Sequence, residues 1–174
     1  MKKLIFFIII LYSMTSFSQN TIYDIPLQSI DNESVDLKQY KGKYMLFVNV
    51  ASYCGYTNQY SDLQKLHDTY NNLEVIGLPC NQFLFQEPFS QDSIKKFCES
   101  NYSITFLMTE KISVKGKNQH ELYKWLTNKD LNKIKDSKVK WNFQKYLISP
   151  EGKLIDVFYS KTLPLSKDIT QYLD

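Results

Sequence analysis

Two apolar runs, Tyr44 to Val50 and Leu73 to Leu78, interrupt a chain whose other segments mix polar and apolar positions. Both are short and nearly continuous, which suits strands buried on both faces of a sheet. Pro79 closes the second. Between them, Leu63, Leu66, His67 and Tyr70 recur at helical spacing and predict a helix over Tyr60 to Tyr70. Ser90 to Ser100 predicts another, with Ser90 as N-cap and Ile94, Phe97 and Cys98 on one face. Phe106 to Met108 reads as a short strand. Gln119 to Leu126 reads as a helix with Leu122, Tyr123, Trp125 and Leu126 as its apolar contacts. Tyr146 to Ser149 and Leu154 to Phe158 flank Pro150-Glu151-Gly152, a hairpin signal. Ser166 to Leu173 predicts a closing helix capped near Ser166. Upstream, Ile22 to Leu27 and Ser34 to Leu37 are short extended segments around Asp31-Asn32.

The order is strand, helix, strand, helix, then a hairpin and a last helix. This predicts an α/β fold, a central mixed β-sheet flanked by helices. No repeat, linker or low-complexity tract divides the chain, so residues 19–174 are expected to form one domain. Residues 1–18 stand apart. Lys2 and Lys3 precede an apolar stretch from Leu4 to Tyr12, and Ser16-Phe17-Ser18 offers small residues where a signal peptidase cuts. That is a secretory signal peptide, too short for a comfortable membrane span. The alternatives are an uncleaved anchor or a buried N-terminal strand. Export implies a periplasmic or otherwise extracytoplasmic location, with no stable membrane insertion once the signal is removed.

The 174 residues are 43% hydrophobic and 15% aromatic, enough for a sizeable core. The formal net charge is +3, and all 21 basic residues are lysine. Scattered lysines without arginine forks do not make a nucleic-acid footprint. Losing Lys2 and Lys3 leaves the mature chain nearly neutral. The three cysteines, Cys54, Cys80 and Cys98, permit at most one internal bridge, and their spacing fits no zinc pattern. His67 and His120 are the only histidines and have no partners at ligand spacing, so no metal and no cofactor is expected. His67 reads as a surface or boundary residue.

Cys54 carries the chemistry. In MLFVNVASYCGYT it follows the end of a predicted strand and precedes a helix starting near Thr57 or Asn58. Function gathers at the carboxyl ends of strands in open α/β sheets, and a helix N-terminus favours a thiolate. The bland alternative is a small buried hydrophobe. Thr57 occupies the second cysteine position of C-x-x-C, so there is no local dithiol.

Beyond this position, NVASYCGYTNQY (Asn49 to Tyr60) resembles the nucleophile segment of the glutathione peroxidase family. LPCNQFLFQEP (Leu78 to Pro88) and KWNFQKYLISPEGK (Lys140 to Lys153) resemble two further family blocks, and VKGKNQHELYKWL (Val114 to Leu126) fits the segment between them. The resemblance spans about Ile22 to the C-terminus and implies a thioredoxin-like fold. It implies Cys54 as peroxidatic nucleophile, with Gln86, Trp141 and Asn142 as the other active-site positions. Amide and indole N–H donors suit this work, because they hold a thiolate and orient a peroxide without titrating. Trp141 taken alone would read as a core aromatic. Cys98 falls where cysteine-type, thioredoxin-dependent members carry a resolving cysteine. It equally reads as a buried cap on its helix, and both hold if the helix unwinds locally. Cys80 also matches a family cysteine and reads as structural.

The chain departs from the family pattern at Leu84-Phe85, where a glycine and its neighbour are usual, at Glu121, and in a slightly shorter Cys54-to-Cys80 segment. The resemblance implies a thiol peroxidase acting on hydrogen peroxide and organic hydroperoxides. Without arginine to grip the two carboxylates of glutathione, and with Cys98 in the resolving position, a thioredoxin-like reductant is the expected donor, glutathione the alternative. A peroxide sensor passing oxidation to a client, or a protein thiol–disulfide oxidoreductase, are the competing functions. The segment between Asn128 and Lys140 is shorter than the insertion in the family's tetrameric members, so the resemblance implies a monomer.

Overall fold

Strands β1 (Leu27–Gln28) and β2 (Ser34–Val35) form a small antiparallel pair ahead of the main sheet. The main sheet holds β3 (Tyr44–Val50), β4 (Leu73–Pro79), β5 (Leu107–Met108), β6 (Lys145–Ile148) and β7 (Leu154–Phe158), in the order β5-β4-β3-β6-β7. The helices are α1 (Gln59–Thr69), α2 (Gln91–Tyr102), α3 (Glu121–Thr127), α4 (Lys129–Asn132) and α5 (Lys167–Thr170). The computed structural model describes residues 21–173, so the predicted signal peptide lies outside the described residues. No helix among the described residues is long and apolar enough to cross a membrane.

β3 and β4 are parallel, running from Tyr44 opposite Leu73 to Val50 opposite Pro79. The crossover through α1 demands that arrangement. β6 pairs antiparallel with β3 and β7 with β6, which makes the sheet mixed as expected. Alternation along β3 separates two cores. Met45 and Phe47 face one side, with Ile76, Leu78, Tyr146 and Ile148, and meet Leu122, Tyr123 and Leu126 of α3. Leu46, Val48 and Val50 face the other and meet Tyr60, Leu63 and Leu66 of α1 and Ile94 of α2. Each such fully buried side chain contributes roughly 1.5–3 kcal/mol.

Several boundaries differ from expectation. Ile22–Asp24 is a 3-10 turn rather than extended chain, closed by the reciprocal capping of Thr21 and Asp24. Leu37 starts a second 3-10 turn, Leu37–Tyr40, after Asp36 accepts from the Lys38 N–H. α3 begins at Glu121, because His120 Nδ1 caps the Leu122 N–H and takes Gln119 out of the helix. The closing helix is a single turn, Lys167–Thr170, followed by turns. α4 is an unpredicted turn of helix, with Asn128 capping the Asp130 N–H.

Candidate active site

β3 ends at Val50 in the middle of the sheet, and the chain turns through residues 51–58 before α1. Thr57 closes this turn. Its hydroxyl oxygen accepts from the Cys54 N–H at 2.9 Å and lies 2.9 Å from the Ala51 carbonyl and 2.8 Å from the Cys54 carbonyl. One hydroxyl proton serves those two carbonyls in turn. The residue standing where a dithiol would have its second cysteine thus fixes the geometry of the first.

Cys54 is 8% exposed, and the Tyr56 N–H points at its sulfur at 3.5 Å. The expected support from the helix N-terminus takes a different form. The first N–H groups of α1 are engaged by turn carbonyls, Gln59 to Tyr56 and Tyr60 to Thr57. The Tyr56 amide, inside the turn, is the backbone donor facing the sulfur.

The loop after β4 and the turn before β6 bring the remaining site residues together. The Asn142 side chain is wholly buried and donates to Gln86 Oε1 at 3.0 Å. The Gln86 carbonyl accepts from the Tyr53 N–H at 3.0 Å, which ties this loop to the residue before Cys54. Asn49 Nδ2 donates to the Trp141 carbonyl at 3.1 Å and, at longer range, to Asn142 Oδ1 at 3.4 Å. The half-buried Trp141 ring rests on Phe83, with centroids 5.5 Å apart. Among the described residues neither the Gln86 amide nitrogen nor the Trp141 indole N–H has a partner, so both donors are unspent. The structure therefore brings Gln86 and Asn142 into direct contact and ties both to the Cys54 turn.

Three supporting residues escaped the sequence reading. Phe143 holds a left-handed φ of 61°, and its N–H donates to the Asn49 carbonyl at 2.6 Å. Lys145, wholly buried, spends its ammonium on three neutral acceptors: Gln59 Oε1 at 2.7 Å, the Phe143 carbonyl at 2.8 Å and the Thr162 carbonyl at 2.9 Å. Burial without a countercharge pulls its pKa down to about 7. Glu87 lies buried behind the Cys54 turn, accepting from Ser52 N at 2.8 Å and Ser52 Oγ at 3.0 Å. Its other oxygen is unpartnered, and burial, partly offset by Ser52 and Lys111, raises its pKa to about 6. Lys145 opens β6, a place where a lysine ordinarily faces solvent, so the sequence carries no signal of its burial.

The three thiols are free, and the sheet sorts them. Cys54 and Cys98 belong to the core beneath α1 and α2, and Cys80 to the core on the opposite face. Cys98 is 1% exposed, and burial pushes its pKa up to about 12. The Tyr60 hydroxyl interacts with the Cys98 thiol but falls short of a full hydrogen bond. Burial also raises Cys80. His67 is half-buried, as a boundary residue should be.

A family model described as glutathione peroxidase matches residues 22–127. A relative named glutathione peroxidase homolog BsaA, from Staphylococcus epidermidis, is 47% identical over 146 residues, covering 83% of this chain and 92% of its own. A glutathione peroxidase-like peroxiredoxin 2 from Saccharomyces cerevisiae is 40% identical over 150 residues, covering 85% and 93%. The crystal structure of Trgpx in its apo form superposes with a TM-score of 0.67 at 34% identity, covering 88% of this chain and 93% of that one.

Proposed function

The chain belongs to the glutathione peroxidase family, and on that premise we propose a two-cysteine peroxidase cycle run by Cys54 and Cys98. The enzyme is a thiol peroxidase, an oxidoreductase that reduces hydroperoxides to water and alcohols. The Cys54 thiolate attacks the terminal peroxide oxygen and the O–O bond breaks. The departing hydroxide or alkoxide takes up a proton, and Cys54 is left as a sulfenic acid. Gln86 and Trp141 supply the unspent N–H donors for the thiolate and the peroxide, and Asn142 holds Gln86 in place.

In the second step the Cys98 thiol attacks the Cys54 sulfur, a disulfide forms and water leaves. Two thiols of a thioredoxin-like donor then reduce the disulfide and become a disulfide themselves. The shared core of Cys54 and Cys98 is the observation that carries this step. Burial keeps Cys98 protonated and out of reach, so resolution requires local opening of α2. Glutathione is the alternative donor, disfavoured by the absence of arginine. No feature of the described residues favours the peroxide sensor. We also assign residues 1–18 as a cleaved export signal and the mature chain as a monomer.

Peptide mapping after one equivalent of hydrogen peroxide, with free thiols blocked, tests the cycle. A Cys54–Cys98 disulfide is expected. Oxidised Cys54 with Cys98 still free would remove the resolving role and make a small external thiol the reductant. N-terminal sequencing of the exported protein tests the leader: a start at Gln19 is expected, and Met1 would refute cleavage.

A further inference from the structure

The turn that carries Trp141 and Asn142 is held at four carbonyls in succession. The Trp141 carbonyl accepts from Asn49 Nδ2 at 3.1 Å, and the Asn142 carbonyl from Ser160 Oγ at 2.5 Å. The Phe143 carbonyl accepts from Lys145 Nζ at 2.8 Å, and the Gln144 carbonyl from the Asn49 N–H at 3.4 Å. Asn49, near the end of β3, makes two of these bonds. Ser160, just after β7, and Lys145, the first residue of β6, make the others.

Lys145 reaches further than this turn. Its ammonium also donates to Gln59 Oε1 at 2.7 Å and to the Thr162 carbonyl at 2.9 Å. Gln59 opens α1, and its Nε2 donates to the Ser160 carbonyl at 2.7 Å. Lys145 thus joins three segments: the start of α1, directly after the Cys54 turn; the Trp141–Asn142 turn; and the chain that follows β7. Three acceptors converge on one point, and an ammonium presents three N–H donors from a single atom. The residue is wholly buried and joins no ion pair among the described residues. Burying an ammonium without a countercharge costs stability, so stability alone does not account for a lysine here. Costly arrangements of this kind gather around functional sites.

We propose that Lys145 is a positioning residue for the reaction of Cys54 with peroxide: it locks the Trp141–Asn142 turn to the start of α1, and so sets the Trp141 indole and, through Asn142, the Gln86 amide relative to the Cys54 turn. It acts only through others, because its three bonds end on Gln59, Phe143 and Thr162. Asn142 passes the constraint on, with its carbonyl held by Ser160 and its side chain donating to Gln86 Oε1 at 3.0 Å. This role rests on those assigned above to Gln86, Trp141 and Asn142. Reduction of the oxidised enzyme by a dithiol is thiol exchange and does not call on those donors. Loss of Lys145 should therefore weigh on one half of the cycle.

Single-turnover kinetics separate the halves. One rate constant is that of the reduced protein with hydrogen peroxide, and the other that of the oxidised protein with dithiothreitol. Lys145→Met keeps the reach of the side chain and removes all three donors. It should slow the peroxide reaction roughly tenfold or more and leave the dithiothreitol reaction within about twofold of the parent. Lys145→Gln, which returns two N–H donors, should recover part of the loss. Ser160→Ala removes only the hydroxyl on the Asn142 carbonyl and should slow the peroxide reaction by a smaller factor. Melting curves show which variants are folded at the assay temperature; should Lys145→Met not be, the other two carry the same test. Equal losses in both reactions, or a lower melting temperature with an unchanged peroxide rate, would make Lys145 a structural lysine only and overturn the proposal. Gln86→Ala tests the reading beneath it. A peroxide rate that falls for Gln86→Ala but not for Lys145→Met overturns the positioning role alone, and one that falls for neither overturns the role of Gln86 as well.

Discussion

At the scale of single residues, the candidate site depends on buried polar groups that bond to its own backbone and side chains. Thr57 is the simplest case: Thr57→Val keeps the volume but leaves the buried Cys54 N–H without an acceptor. A loss of about 1–3 kcal/mol in denaturant unfolding is expected, with slower reaction of Cys54 with peroxide, and Thr57→Ser should restore both. Lys145 and Glu87 yield predictions with a definite sign. Lys145 titrates near 7 when folded, against an ordinary lysine value near 10.4 when unfolded. Between those values the unfolded chain binds more protons, so this group makes stability rise with pH. Its slope reaches at most about 1.4 kcal/mol per pH unit. Cys98, raised to about 12, opposes it above the ordinary thiol range, so the rise should be clearest between about pH 7 and 8.5. Lys145→Met should flatten this rise in melts taken across that window. Glu87 works the other way. Its folded pKa of about 6 lies above the ordinary carboxylate value, so the folded chain binds more protons and stability falls as pH rises from about 4.3 to 6. Glu87→Gln, which retains an acceptor for Ser52, should remove that fall.

At the scale of elements, the hydrophobic pattern was a good guide wherever burial decides structure. β3 spans the run Tyr44 to Val50, and Ser90 caps α2 through the Ser93 N–H, both as the pattern implied. The pattern failed where side-chain-to-backbone bonds decide. The Thr21–Asp24 box, the His120 cap and the Asn128 cap are local polar devices with no apolar periodicity to announce them. The site divides in the same way. As candidates, Cys54 was legible from its place after a strand, and Gln86, Trp141 and Asn142 from their motif blocks. The Lys145 clamp was not, because Gln59, Phe143 and Thr162 converge only through tertiary packing. One element carries a prediction of its own. α2 ends at Ser103, which sits at a left-handed φ of 51°, and the Ile104 N–H closes back onto the Cys98 carbonyl. Opening this end would free Cys98. Ser103→Gly removes the left-handed penalty and should stabilise the helix end by about 1 kcal/mol. Disulfide formation after a peroxide pulse, followed by rapid thiol blocking, should slow by several fold if α2 must open. An unchanged or faster rate would show that Cys98 is reached without unwinding this end.

At the scale of the whole molecule, the sheet separates the thiols. Its two faces carry separate cores, with Cys54 and Cys98 in one and Cys80 in the other. A disulfide needs Cα atoms within about 7 Å, and Cys80, just past the end of β4 with its N–H on the Val50 carbonyl, packs into the core opposite to that of Cys54 and Cys98. Cys80 is wholly buried against α3 and the β4–α2 loop, in contact with Gln82 but outside the Cys54 turn. Its proper test is therefore a pair of measurements. Cys80→Ala should lower stability by about 1 kcal/mol through lost packing. Turnover and the position of the peroxide-induced disulfide should stay as in the parent chain. Detection of a bridge between Cys80 and either other cysteine under non-denaturing conditions would refute the division of labour assigned to the two faces.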